Sequence, residues 1–385
     1  VDAARRLDRD LRRRAAGSGV SDARRHSLTR TFKGGNMAST IVGLDIGNGV
    51  IRAAELADPG KAKPTLLRYH SIVVPPTAIQ KGEVLEVGTV SAALKQLWAT
   101  AGFKSKKVVL GMGNQRVMVR DVSVPQMPLA QIKESLPFQV QELLPVPVAD
   151  AILDFYPVSA GRSENSDVVN GLLIAAVKEP VLKNVEAVQA AGLDPVEVDL
   201  IPFALTRALV PMSDSRDLVA IVHIGATTTS VVIAANGVPQ FVRIIQSGGE
   251  DITQALVRRL GLDAAQSDKV KRGFGLNSEN VAPDWKPAVE AIVTAAGELI
   301  DSVRNTLSFF VNTHQGVRLD RAYLSGGGAQ LAGLPAAMAD AIRLPVGLPD
   351  PLARFSVAKT VDAERLRADL AGVPVAAGLA LGSKS

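Results

Sequence analysis

From Thr40 the chain sorts its apolar residues into short β-branched runs broken by Gly and polar turns, the pattern of half-buried strands. "IVGLDIG", "IRAAEL" and "TLLRYHSIVV" read as three strands, and a helical period from Val87 to Ala101 precedes a buried strand, "KKVVLGMG". Residues 117–191 have a plan of their own. "VMVRDVSV" alternates as a strand closed by Pro125 and Pro128, and Leu129, Ile132, Leu136, Val140 and Leu143 then mark one face of a helix that Pro137 should kink or shorten. "AILDFYPV" and "VVNGLLIAAV" add two strands, and Leu182 to Ala191 predicts a helix closed by Gly192. "LDPVEVDLIPFALTRAL" reads as a strand running into a helix.

The second half repeats the opening. "LVAIVHIGATTTSVVIAANG", residues 218–237, echoes "IVGLDIGNGVIRAAEL", residues 41–56, with His223 where the first copy has Asp45. Helices follow near Asp251 to Leu260, Asp263 to Arg272 and Ala288 to Phe310. Strand "RAYLS", three glycines, a helix from Leu334 to Ile342 and a small-residue close, "VPVAAGLALG", complete the chain. Strands with interposed helices predict an α/β protein of two related lobes. The expected boundaries are 37–116 with 192–216 for the core of lobe 1, 117–191 for an inserted subdomain, and 217–385 for lobe 2, with a smaller subdomain near 255–315.

Composition narrows the chemistry. With 385 residues and 47% apolar content the chain can bury more than one core. Zero cysteines exclude thiol catalysis, thiolate metal sites and disulfides, and four scattered histidines make no zinc spacing. No 18-residue apolar run appears, which argues against a membrane span. The net charge of +5 invites a nucleic-acid reading until its location is seen. Residues 1–36 alone carry +6, so the remainder is nearly neutral and no nucleic-acid partner is expected. That arm has no apolar stripe and reads as a disordered basic leader, with Met37 as the expected native start.

The two echoing hairpins carry the candidate chemistry. In the first, Gly47 and Gly49 bare the backbone for phosphate oxygens, Asn48 adds a polar side chain, and Asp45 suits a Mg²⁺ ion held through water. In the second, Gly225 with Thr227, Thr228 and Thr229 offers one glycine and three hydroxyls. Gly326, Gly327 and Gly328 end a strand ahead of a helix, where a base or ribose can lie against bare backbone. Gly248 and Gly249 precede Glu250 and Asp251 at a helix start. Each alone is equally an ordinary turn, connection or helix cap. The repeated pair at the head of each lobe is the more specific signal, because ligands sit in crevices between duplicated lobes.

In this order the pieces resemble the actin-like ATPase superfamily, with phosphate loops at Asp45 to Arg52 and His223 to Thr229, including Ala226, and an adenosine loop at Ser325 to Ala329. Within it, "VPQMPLAQIKESLPFQVQELLPVPVADAILDFYPV", "GGEDITQAL" and "ELIDSVRNTLSFF" are similar to the PilM family of type IV pilus assembly proteins, relatives of the cell-division protein FtsA. The resemblance implies an actin-like, ribonuclease H-like duplicated fold with a small α+β subdomain inserted in the first lobe. It implies ATP or ADP with Mg²⁺ between the lobes, with Asp268 and Lys271 as the pair toward ribose and adenine. It implies a cytoplasmic protein that docks the N-terminal tail of the membrane protein PilN, and through it the inner-membrane assembly complex and its motor ATPase, without inserting in the membrane itself.

Two departures from the family pattern stand out. His223 replaces the usual Asp, and Ile201 stands where a Glu often precedes "PFAL". Phosphoryl transfer depends on placing the metal and the attacking water, so binding with very slow hydrolysis is the expectation. Asp45 is then the one candidate catalytic side chain. The alternatives are an FtsA-like membrane-tethered filament protein, which should end in a basic amphipathic helix where this sequence has "GLALGSKS", and a small-molecule kinase, which would need a carboxylate base over an acceptor hydroxyl.

Overall fold

Strand β1 (Thr40–Ile46) turns through Gly47–Gly49 into β2 (Val50–Ala57), which pairs antiparallel with it and with β3 (Thr65–Val73). A small ribbon, β4 (Ile79–Gln80) and β5 (Glu83–Val84), leads to α1 (Val87–Ala101), whose end is set by Gly102 at φ +64. Strand β6 (Lys107–Met112) then runs parallel to β1. The structure is a computed structural model describing residues 40–163, 166–210, 217–277, 279, 281–314 and 316–382. The expected leader 1–36 and the expected start at Met37 lie outside the described residues.

The insert is a three-stranded antiparallel sheet, β7 (Val117–Pro125), β8 (Ala151–Arg162) and β9 (Asp167–Val177), with β9 in the middle. Helix α2 (Leu129–Gln139) buries Ile132 and Leu136 beside Phe155 and Leu173. Of the apolar face predicted to continue to Leu143, Val140 is still buried with Ile132 and Leu136, but the helix ends at Gln139, two residues past Pro137, and Gln141–Leu143 is a 3-10 turn. Leu143 and Phe138 stand exposed.

Helix α3 (Lys178–Ala190) begins four residues ahead of the expected Leu182, since Pro180 is tolerated in a first turn. Its Ala187 and Val188 join the core of α1 and β6 rather than that of the insert. We therefore propose that lobe 1 resumes at 178 and not at 192. β10 (Asp194–Leu200) pairs parallel with β6 and feeds α4 (Ile201–Leu209).

Lobe 2 repeats the plan. β11 (Leu218–Ile224), β12 (Thr229–Ala235) and β13 (Val238–Ile245) form a meander, followed by α5 (Gly249–Leu260), α6 (Ala264–Phe274) and the 28-residue α7 (Lys286–Thr313). β14 (Arg321–Ser325) returns parallel beside β11, and α8 (Leu334–Ile342) and β15 (Val346–Gly347) follow. The chain then returns to the first sheet, where β16 (Ser356–Val357) pairs with β3, and continues through α9 (Ala363–Ala368) and α10 (Val373–Ala380), so we propose that lobe 2 stops before 356 and not at 385. The two main sheets run β10-β6-β1-β2-β3-β16 and β13-β12-β11-β14-β15.

Between them lie α4 and α10, and their shared core mixes Ile41, Ala54 and Leu56 of the first sheet with Val219, Ile221 and Val232 of the second. Small residues make this layer possible. A Cβ on Gly43 would stand 1.9 Å from the Ala376 carbonyl oxygen, and one on Gly378 would stand 2.1 Å from that of Ala204. With aromatic residues at only 4%, this layer is filled by close backbone approach instead. Each lobe keeps a further core on its outer face, under α1 in lobe 1 and under α5, α7 and α8 in lobe 2.

Candidate functional site

Residues of the β1–β2 and β11–β12 turns line one cleft of about 640 Å³. From lobe 1 come Asp45, Gly47, Asn48 and Arg52, and from lobe 2 His223, Gly225, Ala226, Thr227, Thr228, Gly249, Asp268, Lys271, Gly326, Gly327 and Gly328. The pattern that repeats in sequence is therefore brought together in space.

The first turn is closed by the Gly47 N–H donating to the Val50 carbonyl at 2.9 Å, with Gly49 at φ +77. Asn48 does not simply point into the cleft, because its Oδ1 accepts the Lys81 backbone N–H at 3.0 Å and ties the loop to the β4–β5 turn. Asp45 is buried, with Oδ2 3.7 Å from Nη1 of Arg52. Burial raises the pKa of this carboxyl, against the pull of Arg52. For Arg52 burial works against the charge, but Asp45 and Asp369 outweigh it and hold the guanidinium protonated.

The second turn is closed by Gly225 N–H to the Thr228 carbonyl at 2.9 Å. Three expected residues stand outside the cleft wall. Gly49 shapes the first turn, and its carbonyl accepts the Val74 N–H. Thr229 is buried, its hydroxyl donating to the Ser247 carbonyl at 2.8 Å. Gly248 lies behind the second turn, where a Cβ would come within 2.6 Å of both the Gly225 and Ala226 carbonyl oxygens.

The start of α5 has spent its donors: Gly249 N–H and Glu250 N–H go to the Gly225 and Ala226 carbonyls, and Gly248 N–H goes to Oδ2 of Asp251. These bonds make Gly248 and Gly249 a buttress for the second turn, as the helix-cap reading expects, while Gly249 also lines the cleft.

The three adjacent glycines of the third motif also divide. Cβ atoms on Gly326 and Gly328 would clash with Ile224 at 2.4 and 2.3 Å, whereas one on Gly327 would meet nothing within 4 Å. Gly326 and Gly328 pack the loop onto β11, and Gly327 faces the open cleft. Lys271 is held by Asp268 at 2.7 Å, the Thr253 hydroxyl at 2.7 Å and the Gly249 carbonyl at 3.1 Å. Lys271 and Arg272 lower the pKa of Asp268 although burial works the other way. His223, the odd residue of the repeat, lies 3.4 Å from the Ser325 hydroxyl through Nδ1. Burial, reinforced by Arg52, pushes its pKa down to about 4, so the ring is neutral at pH 7.

A family model described as type IV pilus assembly protein PilM matches residues 43–384. The chain belongs to the PilM family. Among solved structures it is similar to a chain of a PilM-PilN type IV pilus biogenesis complex, with 28% identity, 89% of this chain and 97% of that one covered, and a TM-score of 0.78. The ethanolamine utilization protein EutJ from Carboxydothermus hydrogenoformans shares the fold at 15% identity over 90% of each chain, TM-score 0.51. A curated relative, cell division protein FtsA of Bacillus subtilis (strain 168), is 24% identical over 227 residues, 52% of this chain. The chain spans about half the length of that relative, 51%. The fold of this PilM-family chain is the duplicated, two-lobe actin-like one.

The cleft also recruits residues that no motif marked. Lys81 and Gly82 arrive on the β4–β5 turn, Met112, Gly113 and Asn114 at the end of β6, and Ala371 and Gly372 just ahead of the small-residue close, whose Val375 also lines the cleft. Only Asn114 carried a readable signal, as the first residue of the polar stretch Asn114–Arg116 after a buried strand. Ile201 lines the cleft too, packed where a Cβ on Gly113 would approach it to 2.9 Å.

Proposed function

We propose that this protein binds ATP with Mg²⁺ in the cleft, hydrolyses it very slowly, and acts as a scaffold of pilus assembly. The observation supporting it most is that two bare-backbone turns, one from each lobe, line the same cleft together with His223 and Ile201. Asp45 to Asn48 and Gly225 to Thr228 would cradle the phosphates, Arg52 would add positive charge, and Gly327 would leave room for the nucleoside. Among the described residues no three carboxylates, histidines or cysteines gather into a metal set. Asp45 alone fits a Mg²⁺ ion that keeps most of its waters and arrives on the phosphates, where the ion would offset their charge. A neutral imidazole and an aliphatic side chain supply no carboxylate to orient an attacking water. Such a clamp holds its nucleotide far longer than it takes to bind it and splits it at most very slowly.

The partner is proposed as the N-terminal tail of a PilN-like membrane protein, docked beside the insert and bringing the protein to the membrane, with the motor ATPase reached through the same complex. The 28% likeness to a chain of a PilM-PilN complex over nearly its full length supports this. No helix among the described residues is long and apolar enough to cross a membrane.

Mass spectrometry of nucleotide released from the purified protein tests the clamp. Recovered ATP, with phosphate release near background on added ATP, is the expected result. No adenine nucleotide affinity by calorimetry with Mg²⁺, or brisk turnover, would overturn it.

A further inference from the structure

Arg52 leaves β2 beside the first turn, yet its guanidinium is gripped from the far end of the sequence. Its Nε donates to Oδ2 of Asp369 at 2.8 Å, and the Tyr69 hydroxyl donates to that same oxygen at 2.8 Å. The other end of the fork faces the cleft: Nη1 lies 3.7 Å from Oδ2 of Asp45 and 3.6 Å from where a Cβ on Gly47 would stand. The contact is built closely. Gly372 leaves the space, since a Cβ there would lie 2.2 Å from both Cδ and Nε of Arg52 and 2.6 Å from the Tyr69 hydroxyl. Arg52 and Asp369 expose only 23% and 21% of their side chains, so the pair is largely shielded from water.

An arginine on a strand end has rotatable bonds to lose, and a phosphate would bear that entropy cost unless the fork were already fixed. A single carboxylate on Nε fixes it while leaving both Nη groups outside that bond. We propose that Asp369, backed by Tyr69 and the bare Gly372, is a positioning residue that presents Arg52 to the phosphates of the ligand. Resting on the nucleotide reading above, the assignment makes the C-terminal segment before α10 a functional part of the first phosphate loop. It also gives Asp45 and Asp369 different tasks: Asp369 orients the arginine, and Asp45 faces its cleft end.

Two measurements on the full chain test this. First, the Arg52 Nε–H signal, assigned by its loss in Arg52→Lys, should be slow to exchange with water in the parent protein and fast in Asp369→Asn. Second, calorimetry should show about tenfold weaker ATP binding for Asp369→Asn with adenosine binding unchanged, and no further loss when Asp369→Asn is added to Arg52→Gln. Asp369→Asn is close in shape, and Tyr69→Phe, which keeps the carboxylate, should give a smaller loss of the same selectivity. Unchanged Nε–H exchange in Asp369→Asn would overturn the positioning role. So would equal losses for ATP and adenosine, or additive losses with Arg52→Gln. Should the parent protein bind neither ligand, the nucleotide reading falls, and the consequence for phosphate falls with it.

Discussion

At the level of single residues, identical amino acids in one motif do different work. Gly326 takes φ +87 with Ile224 pressed against it, whereas Gly327 borders open space. Gly326→Ala should therefore cost about 1–3 kcal/mol in urea denaturation through strain and overpacking. Gly327→Asp should change stability by no more than about 0.5 kcal/mol yet weaken ATP binding at least tenfold by calorimetry. His223 sets a pH dependence of its own. Its folded pKa of about 4 lies below the ordinary 6.5, so the unfolded chain binds the proton first. Its share of stability is whole above pH 6.5 and is lost as pH falls toward 4. For this part-exposed ring that share is roughly 1–3 kcal/mol. His223→Gln should flatten the stability profile over that interval, and parallel profiles for the two proteins would refute the assignment.

At the level of elements, the strands and most helices could be read because their apolar spacing answers to local burial. Helix α1 and strand β14 fall where the pattern placed them. The cleft was legible where chemistry repeats along the chain and illegible where tertiary contact decides. Asp369, 317 positions from Arg52, carries no local mark of its bond. Gly248 and Thr229 look like ligand contacts in sequence, but the fold uses their small size and hydroxyl internally. Glycine in the sheet-to-helix layer was equally silent: Gly43 is an ordinary strand residue until α10 is laid on it. Gly43→Ala should lower stability by about 3 kcal/mol in thermal or chemical denaturation, because the Ala376 carbonyl is backbone and cannot swing aside.

At the level of the molecule, α4 and α10 make one core from the inner faces of both sheets, so the lobes share their stabilising contacts. Unfolding one lobe strips apolar cover from the other, and a single cooperative transition is the physical consequence. A ligand seated between the lobes then stabilises the whole chain by mass action. At a hundredfold excess over its Kd, that is about 2.7 kcal/mol, enough for a melting temperature rise of several degrees. If the clamp holds without cutting, the rise given by ATP and Mg²⁺ should match that of a non-hydrolysable analogue and persist unchanged over hours at room temperature. A rise that decays with time while phosphate accumulates would mean that some other group does the work of the carboxylate missing at position 223. A protein whose two lobes melt in separate steps would show instead that the α4–α10 layer does not couple them, and ligand would then shift only one of the two.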